Sequence, residues 1–107
     1  MSAISASELA ERLKSNEPPR LLDVRQPEEF AIAALPEAKL IPLGQIPERA
    51  AELDDWKSED VVVYCHHGIR SAHAIGWLRT QGFEKLTNLS GGIDAWSTQV
   101  DPDLPRY

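Results

Sequence analysis

The sequence predicts an α/β domain: a mostly parallel sheet with helices on both of its faces. Three observations lead there. Short apolar segments alternate with helical ones along the chain, the order that produces βαβ units. Val61-Val-Val-Tyr64 is β-branched, uncharged and flanked by polar residues, as suits a strand covered on both faces. At 107 residues with 42% hydrophobic content, the chain can close one core and is too short for a second, so residues 1–107 are expected to form a single domain.

Each element follows from local chemistry. Ser5-Ala-Ser-Glu8 has capping-box spacing, and Leu9 and Leu13 follow one turn apart, which predicts a first helix over about 5–15. Asn16 to Pro19 ends it, and Leu21-Leu-Asp-Val24 reads as a short buried strand. Pro27 and the two glutamates after it open a short helix, because proline is pre-set for the first turn and carboxylates favour the positive helix end; Pro36 stops it. Lys39-Leu-Ile41 predicts a second strand, and Pro47 starts a helix over 48–53 with Ala50 and Leu53 on one face. After Val61–Tyr64, a helix is predicted from Ser71 to Thr80, with Ala74, Ile75 and Leu78 on one face and Gly82 beyond its end. Lys85 to Leu89 is the last strand, Gly91-Gly92 a turn, and Ile93 to Ser97 a short helix. The tail 100–107 is expected to pack across the domain, and Trp56, Trp77 and Trp96 to serve packing.

The net charge of -6 excludes the broad basic footprint that nucleic acid binding requires. The charge is unevenly placed, however. Thirteen acidic and seven basic residues precede Val61, whereas 61–83 holds no acid, Arg70, Arg79 and all three histidines. That stretch is expected to attract an anion. The N-terminus lacks a basic n-region and an apolar h-region, and the apolar run Val61–Cys65 is too short to span a bilayer, so a cytoplasmic protein without a membrane span is expected. A single cysteine cannot form an internal disulfide, in keeping with a reducing compartment.

The candidate chemistry lies in Tyr64-Cys-His-His-Gly-Ile-Arg-Ser71, which joins the best strand to a helix. In open α/β sheets, reactive groups gather at the C-terminal ends of strands, and Cys65 stands there. A tight loop turns successive backbone N–H groups inward, and the helix N-terminus adds partial positive charge, so a thiolate at its centre is stabilised. Gly68 permits the turn. Arg70 supplies a permanently charged planar guanidinium suited to sulfonate or sulfite, with weaker positive character from His66, His67 and His73. A lone cysteine after an apolar strand is ordinarily an inert core residue; the spacing of Cys65, Gly68, Arg70 and Ser71 at a strand-to-helix turn argues for function instead. No metal is expected, because neighbouring imidazoles in a tight loop should point different ways and no second ligand pair exists.

At this loop the sequence resembles the rhodanese family. Leu21-Leu-Asp-Val-Arg25 with Pro27-Glu-Glu-Phe30, Ile41-Pro-Leu43, the 61–71 segment and Asn88-Leu-Ser-Gly-Gly-Ile-Asp-Ala-Trp96 look like four of that family's motifs, in order and correctly spaced. The resemblance implies a rhodanese-like α/β fold with a mostly parallel five-stranded sheet, one strand more than the pattern alone supplies. It further implies a persulfide at Cys65, cradled by the backbone amides of His66, His67, Gly68, Ile69 and Arg70, with no cofactor. Asp23 and Arg25 are implied to be structural, bracing the sheet edge.

The test reaction implied is sulfur transfer from thiosulfate to cyanide. The six residues from Cys65 to Arg70 match the loop size of sulfur transfer rather than the longer loop of related phosphatases. Two departures stand out: Ala33-Ala-Leu-Pro-Glu-Ala38 replaces a Gly-His-Ile-Pro-Gly-Ala pattern, and His66 replaces an arginine common after the cysteine. The expected partners are a small anionic sulfur donor and, as an alternative, a protein sulfur acceptor docking over an exposed cysteine.

Overall fold

A computed structural model describes residues 2–107, so Met1 of the expected 1–107 domain lies outside the described residues. Its sheet contains β1 (Ser2–Ile4), β2 (Arg20–Asp23), β3 (Lys39–Leu40), β4 (Asp60–Tyr64) and β5 (Lys85–Leu89) in the order β1-β5-β4-β2-β3. All four neighbouring pairs are parallel, so the sheet is wholly rather than mostly parallel among the described residues. β1 had no counterpart in the sequence pattern. It is a three-residue edge strand with only Ile4 buried, and it exists because Ser2 to Ile4 pair with Thr87 to Leu89.

The period-two alternation of strand side chains sorts the core onto two faces. Val61, Val63, Cys65, Leu22 and Val24 share one cluster with Ile46, Leu53, Ala74, Ile75 and Leu78. Val62, Tyr64 and Leu21 share the other with Ala6, Leu9, Ile93 and Trp96. The helices α3 (Ile46–Arg49) and α4 (Ile69–Thr80) therefore cover one face, and α1 (Ala6–Leu13) and α5 (Gly92–Gln99) the other. Trp56 and Trp77 pack against the first cluster, while Trp96 belongs to the second.

Local differences from the sequence pattern have local causes. The capping box of α1 is present, with Ser5 and Glu8 bonded reciprocally at 3.1 Å. α2 (Pro27–Ile32) ends before Pro36, because the chain turns extended at Ala33 and feeds Leu35 into the core. α3 starts at Ile46 and passes into a 3₁₀ helix, Ala50–Trp56. Residues three apart eclipse in that geometry, which still keeps Ala50 above the buried Leu53. α4 starts at Ile69 rather than Ser71, since Gly68, at φ 120°, closes the loop and leads straight into the helix.

Candidate functional site

β4 delivers Cys65 to the middle of the sheet's C-terminal edge, flanked by the ends of β2 and β5. The next residues fold over it. Gly68 N–H donates to Cys65 Sγ at 3.0 Å, and Ser71 Oγ lies 3.5 Å from the same sulfur. Cys65 is only 1% exposed, which corrects the expectation of an open thiol: the loop backbone and the first turn of α4 close around it. Burial pushes the thiol pKa up. The hydrogen bonds from the Ser71 hydroxyl and from the amides of Ser71, Gly68 and His67 together outweigh that and leave it below its ordinary value.

The loop is held from behind by α5. Ile93 N–H donates to Cys65 O at 2.9 Å and Asp94 N–H to His66 O at 3.2 Å, so these carbonyls face α5 while neighbouring amides face the sulfur. Gly92 lies so close that a Cβ there would collide with the carbonyls of Cys65 and His66. Asn88 joins the two halves: its Oδ1 accepts from Ser71 Oγ at 2.6 Å and its Nδ2 donates to Gly68 O at 3.1 Å. Ser71 has one hydroxyl proton for two acceptors, Asn88 Oδ1 and a thiolate at Cys65, so ionisation of the sulfur draws on this contact.

Arg70 does not bond the sulfur. Its guanidinium makes a two-pronged ion pair with Glu29, Nη1 to Oε1 at 2.6 Å and Nη2 to Oε2 at 2.9 Å. Glu29 also accepts the Gln26 N–H at 3.0 Å and the Tyr107 hydroxyl at 2.8 Å. The Arg70 hydrogen bonds hold its carboxyl at a pKa of about 2.

The tail 100–107 packs across the domain, as expected. Val100 and Leu104 lie against the core, Arg106 bonds both oxygens of Asp94 at 2.9 and 3.3 Å, and the Tyr107 ring stacks on His66 at 4.1 Å. Arg25, fully buried, grips Asp23 at 2.6 to 3.1 Å and also donates to Ala33 O at 2.6 Å and Tyr107 Oη at 2.8 Å. Burial opposes its charge, but the bonds to Asp23 and Tyr107 more than restore it. This pair sits at the C-terminal end of β2, next to the end of β4 that carries Cys65.

The histidines depart from expectation. His66 and His67 stack at 4.0 Å instead of diverging, because the tight loop puts both on one side. With Asp94 they form a group whose ligating atoms lie within 4.8 Å of one another. Arg106 engages both Asp94 oxygens, so a cation bound by this group would compete with that guanidinium. Burial pushes the His66 pKa down, so it supplies little positive charge near neutrality. Ile69 is 73% exposed beside the loop.

The structure thus gathers Cys65, His66, His67, Gly68 and Ile69 in one turn and draws Arg70 aside to Glu29. Glu29, Tyr107, Gly92, and the bonds made by Ser71 and Asn88 were not singled out by sequence reasoning. Glu29 and Asn88 did stand inside quoted motifs. Tyr107, 78 residues from Glu29, left no local signal.

Comparison with known proteins agrees with this architecture. A family model described as Rhodanese-like domain matches residues 5–99. The chain is 39% identical over 97 residues to a sulfurtransferase of Allochromatium vinosum, covering 91% of this chain and 89% of that one. It is 42% identical over 92 residues to the chloroplastic Rhodanese-like/PpiC domain-containing protein 12 of Arabidopsis thaliana, covering 82% of this chain but only 30% of that longer protein. A crystal structure of a rhodanese-like domain protein from Staphylococcus aureus superposes with a TM-score of 0.85 at 34% identity, over 100% of this chain and 99% of that one.

Proposed function

Because the chain belongs to the rhodanese-like domain family, a family of sulfurtransferases, we propose that residues 1–107 act as one domain that carries a sulfane sulfur on Cys65 as a persulfide. The observation that carries this reading is the buried sulfur with amides turned upon it: Gly68 N–H at 3.0 Å, beside a thiol whose pKa lies below its ordinary value. An inert core cysteine has no such arrangement.

The chemistry needs no proton transfer and no redox partner. The Cys65 thiolate attacks the outer sulfur of a donor; a new S–S bond forms, the donor's own S–S bond breaks, and the electron pair leaves with sulfite (from thiosulfate) or with a thiolate (from a persulfide). A thiophilic acceptor, cyanide or a thiolate, then attacks the outer sulfur; a new bond to that sulfur forms, the S–S bond to Cys65 breaks, and the electron pair regenerates the Cys65 thiolate. The amides of His67, Gly68 and Ser71 stabilise the anion at the start and end of each half reaction. The two halves share one enzyme form, so ping-pong kinetics are expected.

The exposed Ile69 beside the loop favours a second reading in which the acceptor is a protein thiol that docks there. A lone reduced cysteine supports placement in a reducing compartment such as the cytoplasm. Incubation with thiosulfate should add one sulfur atom to the intact mass of the chain, and Cys65→Ser should abolish the gain. A wild-type protein that takes up no sulfur from either thiosulfate or cysteine persulfide would overturn the proposal.

A further inference from the structure

Three arginines stand around the candidate loop, and each is matched to a carboxylate: Arg25 to its near neighbour in sequence, Arg70 and Arg106 to acids of other segments. Arg25 is paired with Asp23 and Arg106 with Asp94. Arg70, the one arginine within the loop, is paired with Glu29. Within the acid-free stretch 61–83 that was expected to attract anions, the loop's own arginine is thus already matched by an acid from outside it.

The three pairs are not equally closed. Asp23 and Arg25 are 0% exposed at their side chains, and Arg106, exposed, lies in the tail outside the loop and pairs with Asp94 on α5. Arg70 and Glu29 are 33% and 18% exposed, so solvent and solutes reach the pair. The planar fork that now grips two carboxylate oxygens has the geometry to grip two sulfonate oxygens instead.

We infer that Glu29 is a specificity-determining residue: it occupies Arg70 as a built-in anion, which a dianionic donor such as thiosulfate must displace and a thiol-borne persulfide need not. This rests on the persulfide reading above and names the donor class that the site favours. With a pKa of about 2, Glu29 stays charged at every working pH, so only competition releases Arg70. Glu29 itself is held in place by the Gln26 amide and the Tyr107 hydroxyl, which lets it hold Arg70 without following it.

Glu29→Gln tests the inference and keeps an acceptor for the Gln26 N–H, so the start of α2 is preserved. In a Cys65→Ser background, where no sulfur is transferred, thiosulfate binding measured by calorimetry should tighten about tenfold with Glu29→Gln, the scale of one charge-assisted interaction. Adding Arg70→Gln should cancel the gain. In the Cys65 protein, the kcat/KM for thiosulfate relative to that for cysteine persulfide should rise by a similar factor, through KM. Equal thiosulfate affinity with and without Glu29→Gln, or a gain that survives Arg70→Gln, would overturn it. The binding arm reads Arg70 and Glu29 whether or not Cys65 forms a persulfide, so failure of one reading is separable from failure of the other.

Discussion

Two ion pairs of the same chemistry lie next to the same loop and do different work. Asp23 and Arg25 are sealed in the interior, where the guanidinium also satisfies Ala33 O and the Tyr107 hydroxyl. Glu29 and Arg70 sit at the rim, where water screens them. A buried charge that loses its partner is stranded in low dielectric, whereas a rim charge is simply rehydrated. The inner pair is therefore architecture and the outer pair is exchangeable, although Tyr107 touches both.

Arg25→Met breaks the inner pair and should show the largest effect. It strands Asp23 and frees Ala33 O, so urea denaturation should report a loss of about 3–5 kcal/mol. The double change Asp23→Leu with Arg25→Met should restore most of that, because a buried pair replaced by apolar groups leaves no charge unpaired. No recovery would show that the pair's worth lies in its bonds to Ala33 and Tyr107.

Tyr107→Phe sharpens the comparison, since it removes one hydroxyl from both pairs while keeping the ring on His66. The expected loss is about 1 kcal/mol by thermal unfolding. A much larger loss would mean that the tail holds the inner pair together.

Arg70→Met should cost less than about 1 kcal/mol at neutral pH. Its signature lies in acid. Glu29 is depressed from 4.5 to about 2, so the outer pair contributes stability above the unfolded value and loses it as pH falls through about 2. The stability curve of Arg70→Met should be flatter across that window. An unchanged acid limb would show that the Gln26 amide and Tyr107, rather than Arg70, hold Glu29 ionised.

Most of the fold was legible because it is written in short-range terms. Val61–Tyr64 announces a buried strand by composition, Ser5 and Glu8 announce a cap by spacing, and the four ordered motifs carry the family. β1 was not legible, since Ser2-Ala-Ile4 has no pattern of its own and becomes a strand only against β5. The candidate loop was legible as a turn that aims amides at Cys65, but not as one propped by Gly92, Asn88 and α5. His66 and His67 were misjudged because their stacking depends on how tightly the loop folds, and their spacing along the chain does not reveal that.

The sequence by itself determined the α/β class, the place of Cys65 at the end of the central strand, and the loop that surrounds it. These follow from side-chain periodicity and from glycine and proline, which act within a few residues. Only the tertiary structure decided which carboxylate holds the loop's arginine. Asp23 and Arg25 are two residues apart and Asp94 and Arg106 twelve, but Glu29 and Arg70 are 41 residues apart, and the sheet order brings them together. Charge interaction falls with distance in space and is blind to distance along the chain.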